Sequence, residues 1–384
     1  MKLFIIPSWY PTELHPESGT FFKERAQMLK ECGLNVVVGT HIVHSVKDVF
    51  RAPFSSNIQE KIEEGIPTYI SQSVNIFPKL EKMAFQRYTL ETLKLFQHLI
   101  QKEGRPDAVW FQSTLWAGAA LGEYLNSQQI PFMVSEHLKE FLNNDFSEIQ
   151  IGLIKTTYTN ASKIIATSND LYNSLNNNYP EFSSKLALLP NPVDEDIFTL
   201  ATRSENTPKN ILCIAHFREE KRIDILLEAF HQIINEGHSL ALYLAGKGSL
   251  RKQLEKMVYS KGISKSVKFL GHLPQAELVK ELHKADILVL PSQVETFGMA
   301  LIEAGACGVP VVATDCGGPE DIVTSEVGFL AKPESVSALK EGIQKMIQNY
   351  HQFDREEIRN TTIKRFGKGQ FAQSIKELLQ SILG

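Results

Sequence analysis

Along the second half of the chain, hydrophobic positions fall into short unbroken runs separated by amphipathic stretches. Asn210–Phe217, Leu240–Ala245, Val267–Leu270, Ile287–Leu290 and Val309–Thr314 are apolar runs of strand length. Between them, Ile223–Glu236, Leu250–Lys261 and Gln275–Lys284 carry apolar residues at helical spacing, as at Ile225, Leu226, Ala229, Phe230 and Ile233. Unbroken apolar strands suit a parallel sheet covered on both faces. Their alternation with helices predicts a doubly wound α/β sheet. The first half repeats the theme less regularly. It predicts strands at Lys2–Ile6, Asn35–Gly39, Ala108–Phe111, Phe132–Ser135 and Lys163–Thr167, with helices at Thr20–Cys32, Lys79–Lys102, Ala117–Asn126 and Leu171–Asn176. Leu200–Asn210 is polar and aperiodic and reads as an interdomain linker. Two such domains make a cleft, and their ligands bind beyond the carboxyl ends of the strands.

Composition narrows the field. The 384 residues suffice for two cores, and 43% hydrophobic with 22% charged residues is ordinary for a globular protein. A net charge of −4 argues against nucleic acid as the main partner. Cys32, Cys213, Cys307 and Cys316 lack metal or disulfide spacing and sit in apolar or strand-like context, which predicts buried thiols in a reducing cytoplasm. No apolar run approaches the roughly 18 residues that span a bilayer, and Lys2–Ile6, stopped by Pro7, reads as a buried strand and not a signal peptide. Asp194-Glu-Asp196 looks like a cation motif, but its Pro-rich surroundings predict a surface turn and no bound metal.

The residues with chemistry fall after strand ends. Glu295-Thr-Phe-Gly-Met-Ala-Leu-Ile-Glu303 follows the run ending at Leu290 and opens a short helix that Gly308 and Pro310 stop. Free N–H groups near Phe297 and Gly298 form an anion site, flanked by two carboxylates, with Thr296 and Met299 beside them as candidate donor-binding residues. That pairing suits a ligand bearing phosphate and hydroxyls, such as a nucleotide-sugar. Glu303 lies in a nearly all-apolar helix, so burial with a partner or ligand is expected. Two glutamates at this spacing also occur on solvated helices. Further upstream, Pro7–Phe22 is a long loop leading into a helix that Ser18 caps, with Gly19 allowing close approach to the backbone. Trp9 and Tyr10 either face a sugar or pack the loop. His137, just past Phe132–Ser135, either touches a sugar near its anomeric carbon or is structural. His216-Phe-Arg218-Glu-Glu-Lys221-Arg222 offers Arg218 and Lys221 as a diphosphate clamp, or is a solvated charge cluster. Gly246-Lys-Gly248 is weak as a phosphate loop, and Gly317-Gly318-Pro-Glu320 offers further N–H groups.

In this order, Ser18-Gly19-Thr-Phe-Phe, His137-x3-Phe141, Leu189-Pro-Asn-Pro-Val-Asp194, Lys221-Arg-Ile-Asp-Ile-Leu-Leu-Glu-Ala-Phe230, Glu295-x7-Glu303 and Gly317-Gly318-Pro-Glu-Asp-Ile resemble the retaining glycosyltransferases of family 4, across essentially the whole chain. The resemblance implies the GT-B fold, two Rossmann-like domains facing across a cleft. Residues 1–200 would bind the acceptor and 201–367 the nucleotide-sugar donor, with a last helix, 368–384, packing back on the first domain. It implies that Lys221, Arg218 and the helix N-terminus at Phe297–Met299 stabilise the departing diphosphate without a metal or other cofactor. Glu303 would hold the ribose, Glu295 the donor sugar, and His137 the sugar near its anomeric centre, with Gly271-His272 near the base. His216 stands where the family usually has arginine. Retention without a dedicated enzymic base is implied. The donor would be UDP- or GDP-linked and the acceptor a glycan, a lipid-linked glycan or a small molecule of surface polysaccharide or glycolipid synthesis. Alternatives are an epimerase or hydrolase of nucleotide-sugars, or a non-catalytic binding protein. Phe77, Lys79, Lys82, Met83, Phe85, Arg87 and Tyr88 either rest on the inner face of the plasma membrane or belong to an ordinary packed helix.

Overall fold

The computed structural model describes residues 1–49, 57–77, 79–201 and 208–384, so most of the expected linker lies outside the described residues. The chain divides into two compact units, 1–167 with 171–189 and 371–384, and 168–170 with 190–370.

The first unit is built on an eight-stranded sheet. Its strands are β1 (Lys2–Pro7), β2 (Asn35–His44), β3 (Gln59–Glu63), β4 (Ile66–Val74), β5 (Ala108–Gln112), β6 (Phe132–Ser135), β7 (Lys163–Ala166) and β8 (Leu186–Leu188), in the order β3-β4-β2-β1-β5-β6-β7-β8. Every pairing is parallel except β3 with β4. Alternate residues of the central strands feed two cores. Phe4, Ile6, Val109 and Phe111 point to the core under the helix Glu81–Glu103, whereas Leu3, Ile5, Ala108 and Trp110 point to the opposite one. That second core is closed by Phe371, Ala372, Ile375 and Leu379 of the last helix, Lys368–Leu383. The β3–β4 hairpin is an element the hydrophobic pattern does not announce. Its edge strand Gln59-Glu-Lys-Ile-Glu63 is mostly exposed, and its turn uses Glu64 and Gly65, both at positive φ.

The second unit carries six parallel strands: β9 (Asn210–Ile214), β10 (Ala241–Ala245), β11 (Val267–Gly271), β12 (Ile287–Leu290), β13 (Val311–Thr314) and β14 (Gly328–Ala331). Their order is β11-β10-β9-β12-β13-β14. Ile211, Leu242 and Val289 face one core, and Leu212, Leu288 and Leu290 the other. In both sheets the first strand is central, so winding reverses at β1/β5 and at β9/β12, where the loops splay apart.

Two expectations are corrected here. β9 stops at Ile214, short of Phe217, because the chain bends to lie against the next loop: Ala215 N–H donates to Ala245 O and Phe217 N–H to Lys247 O. A Cβ on Gly246 would stand 1.9 Å from Ala215 O, and one on Gly248 2.3 Å from Phe217 O. Gly246-Lys-Gly248 is therefore a site of close backbone packing. Asp194 is no surface turn either. It is 5% exposed and its Oδ1 is 3.1 Å from Lys368 Nζ, which also meets Asp196 Oδ2 at 2.7 Å. The carboxylates neutralise a lysine that the polar turn brings inward.

Candidate functional site

In the second unit, β12 ends at Leu290 and the loop Pro291–Phe297 turns into the helix Met299–Ala306 through Gly298 at φ 108°. Glu295 is fixed by its backbone: its N–H donates to Cys316 O at 3.3 Å and its carbonyl accepts from Gly318 N–H at 2.9 Å. Gly318 lies so close that a Cβ there would be 2.3 Å from the Phe297 Cα. These bonds also correct an expectation. Gly318 N–H is spent on Glu295 and Gly317 N–H on Glu320 Oε1 at 3.1 Å, so neither is offered to a ligand. By contrast, among the described residues the N–H groups of Gly298, Met299 and Ala300 find no backbone acceptor outside the helix.

Across the switch point, the turn Glu219–Lys221 follows β9, and Gln293 N–H donates to Glu220 O at 2.8 Å, tying the two loops together. The join brings Lys221 Nζ 2.5 Å from Glu295 Oε1. Ser292 Oγ donates to the same oxygen at 2.8 Å, leaving Oε2 without a partner among the described residues. Arg218 is exposed and pairs with no carboxylate among the described residues. Arg222, its neighbour in sequence, is fully engaged with Asp224 and with Glu334. The run of basic residues thus separates into exposed Arg218, Lys221 paired with Glu295, and Arg222 held by Asp224 and Glu334. His216 is held below the ordinary imidazole range, first by the loss of water around its ring and then by the charge of Arg218. β11 ends at Gly271, whose carbonyl accepts from Gly246 N–H at 2.7 Å, and exposed His272 follows. Thr296 and Met299 are partly exposed, and Phe297 is buried. Glu303 is half-buried, not sealed, because it stands on the one open line of an otherwise buried helix.

In the first unit, the loop after β1 returns to the helix Thr20–Glu31 through Gly19 at φ 72°. Gly19 is the cap residue and Ser18 makes no capping bond, because the left-handed turn directs the chain away from it. A Cβ at Gly19 would stand 2.7 Å from Trp9 O. Trp9 packs on Phe22 at 5.1 Å, and Phe21 and Phe22 flank the His137 ring at 5.7 and 5.4 Å. Arg25, 3% exposed, donates to Gln112 Oε1 at 2.9 Å and has its Nη1 3.3 Å from His137 Nε2, which is itself 3.1 Å from Gln112 Oε1. Burial, then the Arg25 charge, drives the His137 pKa well below its ordinary value, so the ring is neutral. Next to it, Glu136 is wholly buried, with Oε1 accepting from Tyr158 OH at 3.0 Å and from Thr114 Oγ. Desolvation raises its pKa to about 7.

Sequence reasoning had not singled out Arg25 or Ser292. Arg25 was findable: with Phe22, Ala26 and Leu29 it occupies the buried stripe of its helix, where a charge needs a reason. The four cysteines are all free, but only Cys213 and Cys307 are buried.

The pattern described as Glycosyltransferase Family 4 matches residues 22–197, and that described as Glycosyl transferases group 1 matches residues 196–365. The chain belongs to the family 4 glycosyltransferases. An uncharacterized glycosyltransferase of Methanocaldococcus jannaschii is 28% identical over 322 residues, covering 84% of this chain and 86% of its own. Among solved structures, sucrose-phosphate synthase from Thermosynechococcus elongatus superposes with a TM-score of 0.77 at 18% identity, covering 99% of this chain and 98% of its own. The Anabaena protein HepE in complex with UDP and glucose gives 0.74 at 18% identity, with 99% and 100% covered. This family 4 glycosyltransferase therefore shares the GT-B fold, two α/β domains with parallel sheets. Among its described residues no helix is long and apolar enough to cross a membrane, and no three His, Cys, Asp or Glu side chains converge as a metal site.

Proposed function

We infer that the enzyme transfers a sugar from a UDP- or GDP-linked donor to a glycan, lipid-linked or small-molecule acceptor, with retention at the anomeric carbon and without a bound metal. The observation that carries this is the Lys221–Glu295 pair at the β9/β12 switch point, beside a helix N-terminus whose first N–H groups have no backbone acceptor among the described residues. Lys221, exposed Arg218 and the N–H groups at Gly298–Met299 stabilise the diphosphate as the anomeric C–O bond breaks. The acceptor oxygen bonds to the same face, and its proton passes to the departing phosphate oxygen. Glu295 Oε2 and the neutral His137 serve the sugar hydroxyls, Glu303 the ribose, and Gly271-His272 the base. His216, in the place of the usual arginine, contributes at most one hydrogen bond, so Arg218 takes over the charge. HepE, which binds UDP and glucose, supports a uridine donor. Surface glycan or glycolipid synthesis in the cytoplasm is the setting we assign.

Thermal shifts with UDP, GDP, ADP and CMP, alone and as sugar conjugates, test this reading. At about 100 times its dissociation constant, the right ligand adds roughly 2.7 kcal/mol to stability. Stabilisation by one nucleoside diphosphate, indifferent to chelator and lost in Lys221→Ala, is expected. No stabilisation by any of them would overturn the donor site. Rapid consumption of donor without acceptor would favour a hydrolase or epimerase.

A further inference from the structure

The first unit contains a cleft of about 710 Å³ at the carboxyl ends of β1, β2 and β4, closed on one side by the helix Glu81–Glu103. It is separate from the Arg25–His137 corner but shares Trp9 with it, since Trp9 lines the cleft and packs on Phe22. Trp9, Tyr10, Phe77, Phe85, Tyr88 and Trp116 give it an aromatic wall. Phe85 and Trp116 lie 5.7 Å apart at 41°, and Tyr88 is buried edge-on against His41 at 5.2 Å. Such faces suit the apolar side of a sugar ring.

Arg87 lines this cleft half-buried, with no hydrogen bond and no ion pair among the described residues. Among the described residues it is the one Lys or Arg in the lining, and Glu81 is the one acid. Glu81 sits six residues back on the same helix, about 9 Å along its axis, and accepts a bond from Ser147 Oγ at 3.2 Å, so it does not neutralise the guanidinium. His41 lies between Ser71 Oγ at 2.7 Å and Ser73 Oγ at 2.9 Å, and burial pushes its pKa down to about 4, so it adds no charge. Glu91, one turn further along the same helix, is paired with Lys94 Nζ at 2.9 Å. A half-buried guanidinium with no ion-pair partner among the described residues is a site for an oxyanion brought by a ligand.

We propose that the acceptor is an anionic saccharide whose phosphate or carboxylate is held by Arg87 while its ring lies against the aromatic wall. This rests on the transferase reading above. Isothermal titration of the full chain, with and without UDP, against octyl glucoside, octyl glucuronoside and octyl glucoside 6-phosphate below their micelle concentrations tests it. At least one anionic probe should bind tighter than the neutral glucoside by on the order of tenfold, the factor one charge-assisted hydrogen bond supplies. Preference for the glucuronoside alone identifies an acidic sugar, and for the phosphate alone a phosphorylated one. The advantage should vanish in Arg87→Gln and survive in part in Arg87→Lys, with UDP binding unchanged in both as evidence of an intact fold. Equal binding of the three probes, binding of none, or a preference that persists in Arg87→Gln overturns the proposal. Discrimination by Arg87 in a protein that binds no nucleotide would leave the cleft assignment standing and sink the transferase reading instead.

Discussion

The corners at the two switch points are built alike and handle charge differently. At β9/β12, Lys221 and Glu295 are partly open to water and paired at 2.5 Å, with exposed Arg218 nearby. At β1/β5, the chain seals Arg25 and Glu136 away from water and holds His137 neutral between Phe21, Phe22 and Arg25. The same architecture thus supplies one corner that meets charge with charge and another that keeps a hydrogen-bonding ring uncharged. Exposure makes the difference: a carboxylate at the first corner is balanced by a lysine, whereas Glu136 has only hydroxyl and amide donors and is pushed toward its acid form.

The largest effect should come from breaking the charged corner. Lys221→Ala should lower kcat/KM for transfer by on the order of 10²–10³-fold, as loss of a preorganised charge at a leaving group does, with little change in melting temperature. A tenfold loss or less would mean that Arg218 carries the diphosphate. The sealed corner should answer in stability. Glu136 has a folded-state pKa of about 7 against 4.5 for the free side chain, so the folded protein holds a proton that the unfolded chain releases between these values. Stability from this group is complete below pH 4.5 and declines as pH rises to about 7, by roughly 3 kcal/mol. Urea midpoints from pH 4.5 to 8 should show the decline in the wild type and a flatter profile in Glu136→Gln, and parallel profiles would refute the burial argument.

Two smaller changes sharpen the contrast. Gly318→Ala places a methyl against the Phe297 backbone and should cost ~1–3 kcal/mol while loosening donor binding, read by thermal melting and UDP titration. Arg25→Met keeps an apolar stem beside Phe21 and Phe22 but removes the cation, so His137 should protonate more easily. The acid limb of the kcat/KM profile should move to higher pH. An unmoved limb would show that burial alone keeps the ring neutral.

Much of this was legible in the sequence. Unbroken apolar runs such as Ile287–Leu290 announce buried parallel strands, and the motif from Glu295 to Glu303 marked a strand-to-helix turn that the fold contains. The β3–β4 hairpin escaped because an exposed edge strand has no hydrophobic signature. The pairing of Lys221 with Glu295 escaped because the residues are 74 positions apart and meet only when β9 and β12 lie side by side. The left-handed entry at Gly19 escaped because Ser18 offers the expected cap chemistry and backbone dihedrals decide against it.

The last helix has a consequence for synthesis. Phe371–Gly384 belongs to the first unit, and its Phe371, Ile375 and Leu379 complete the core around Leu3, Ile5 and Trp110. As the chain emerges from the ribosome, the first unit to appear is the last to be finished: residues 190–370 come out in between and are the first to be present in full. Until then the underside of β1 and β5 has only the helix Thr20–Glu31 to help cover it, a translation-length interval in which a nascent chain is exposed to aggregation and to chaperones.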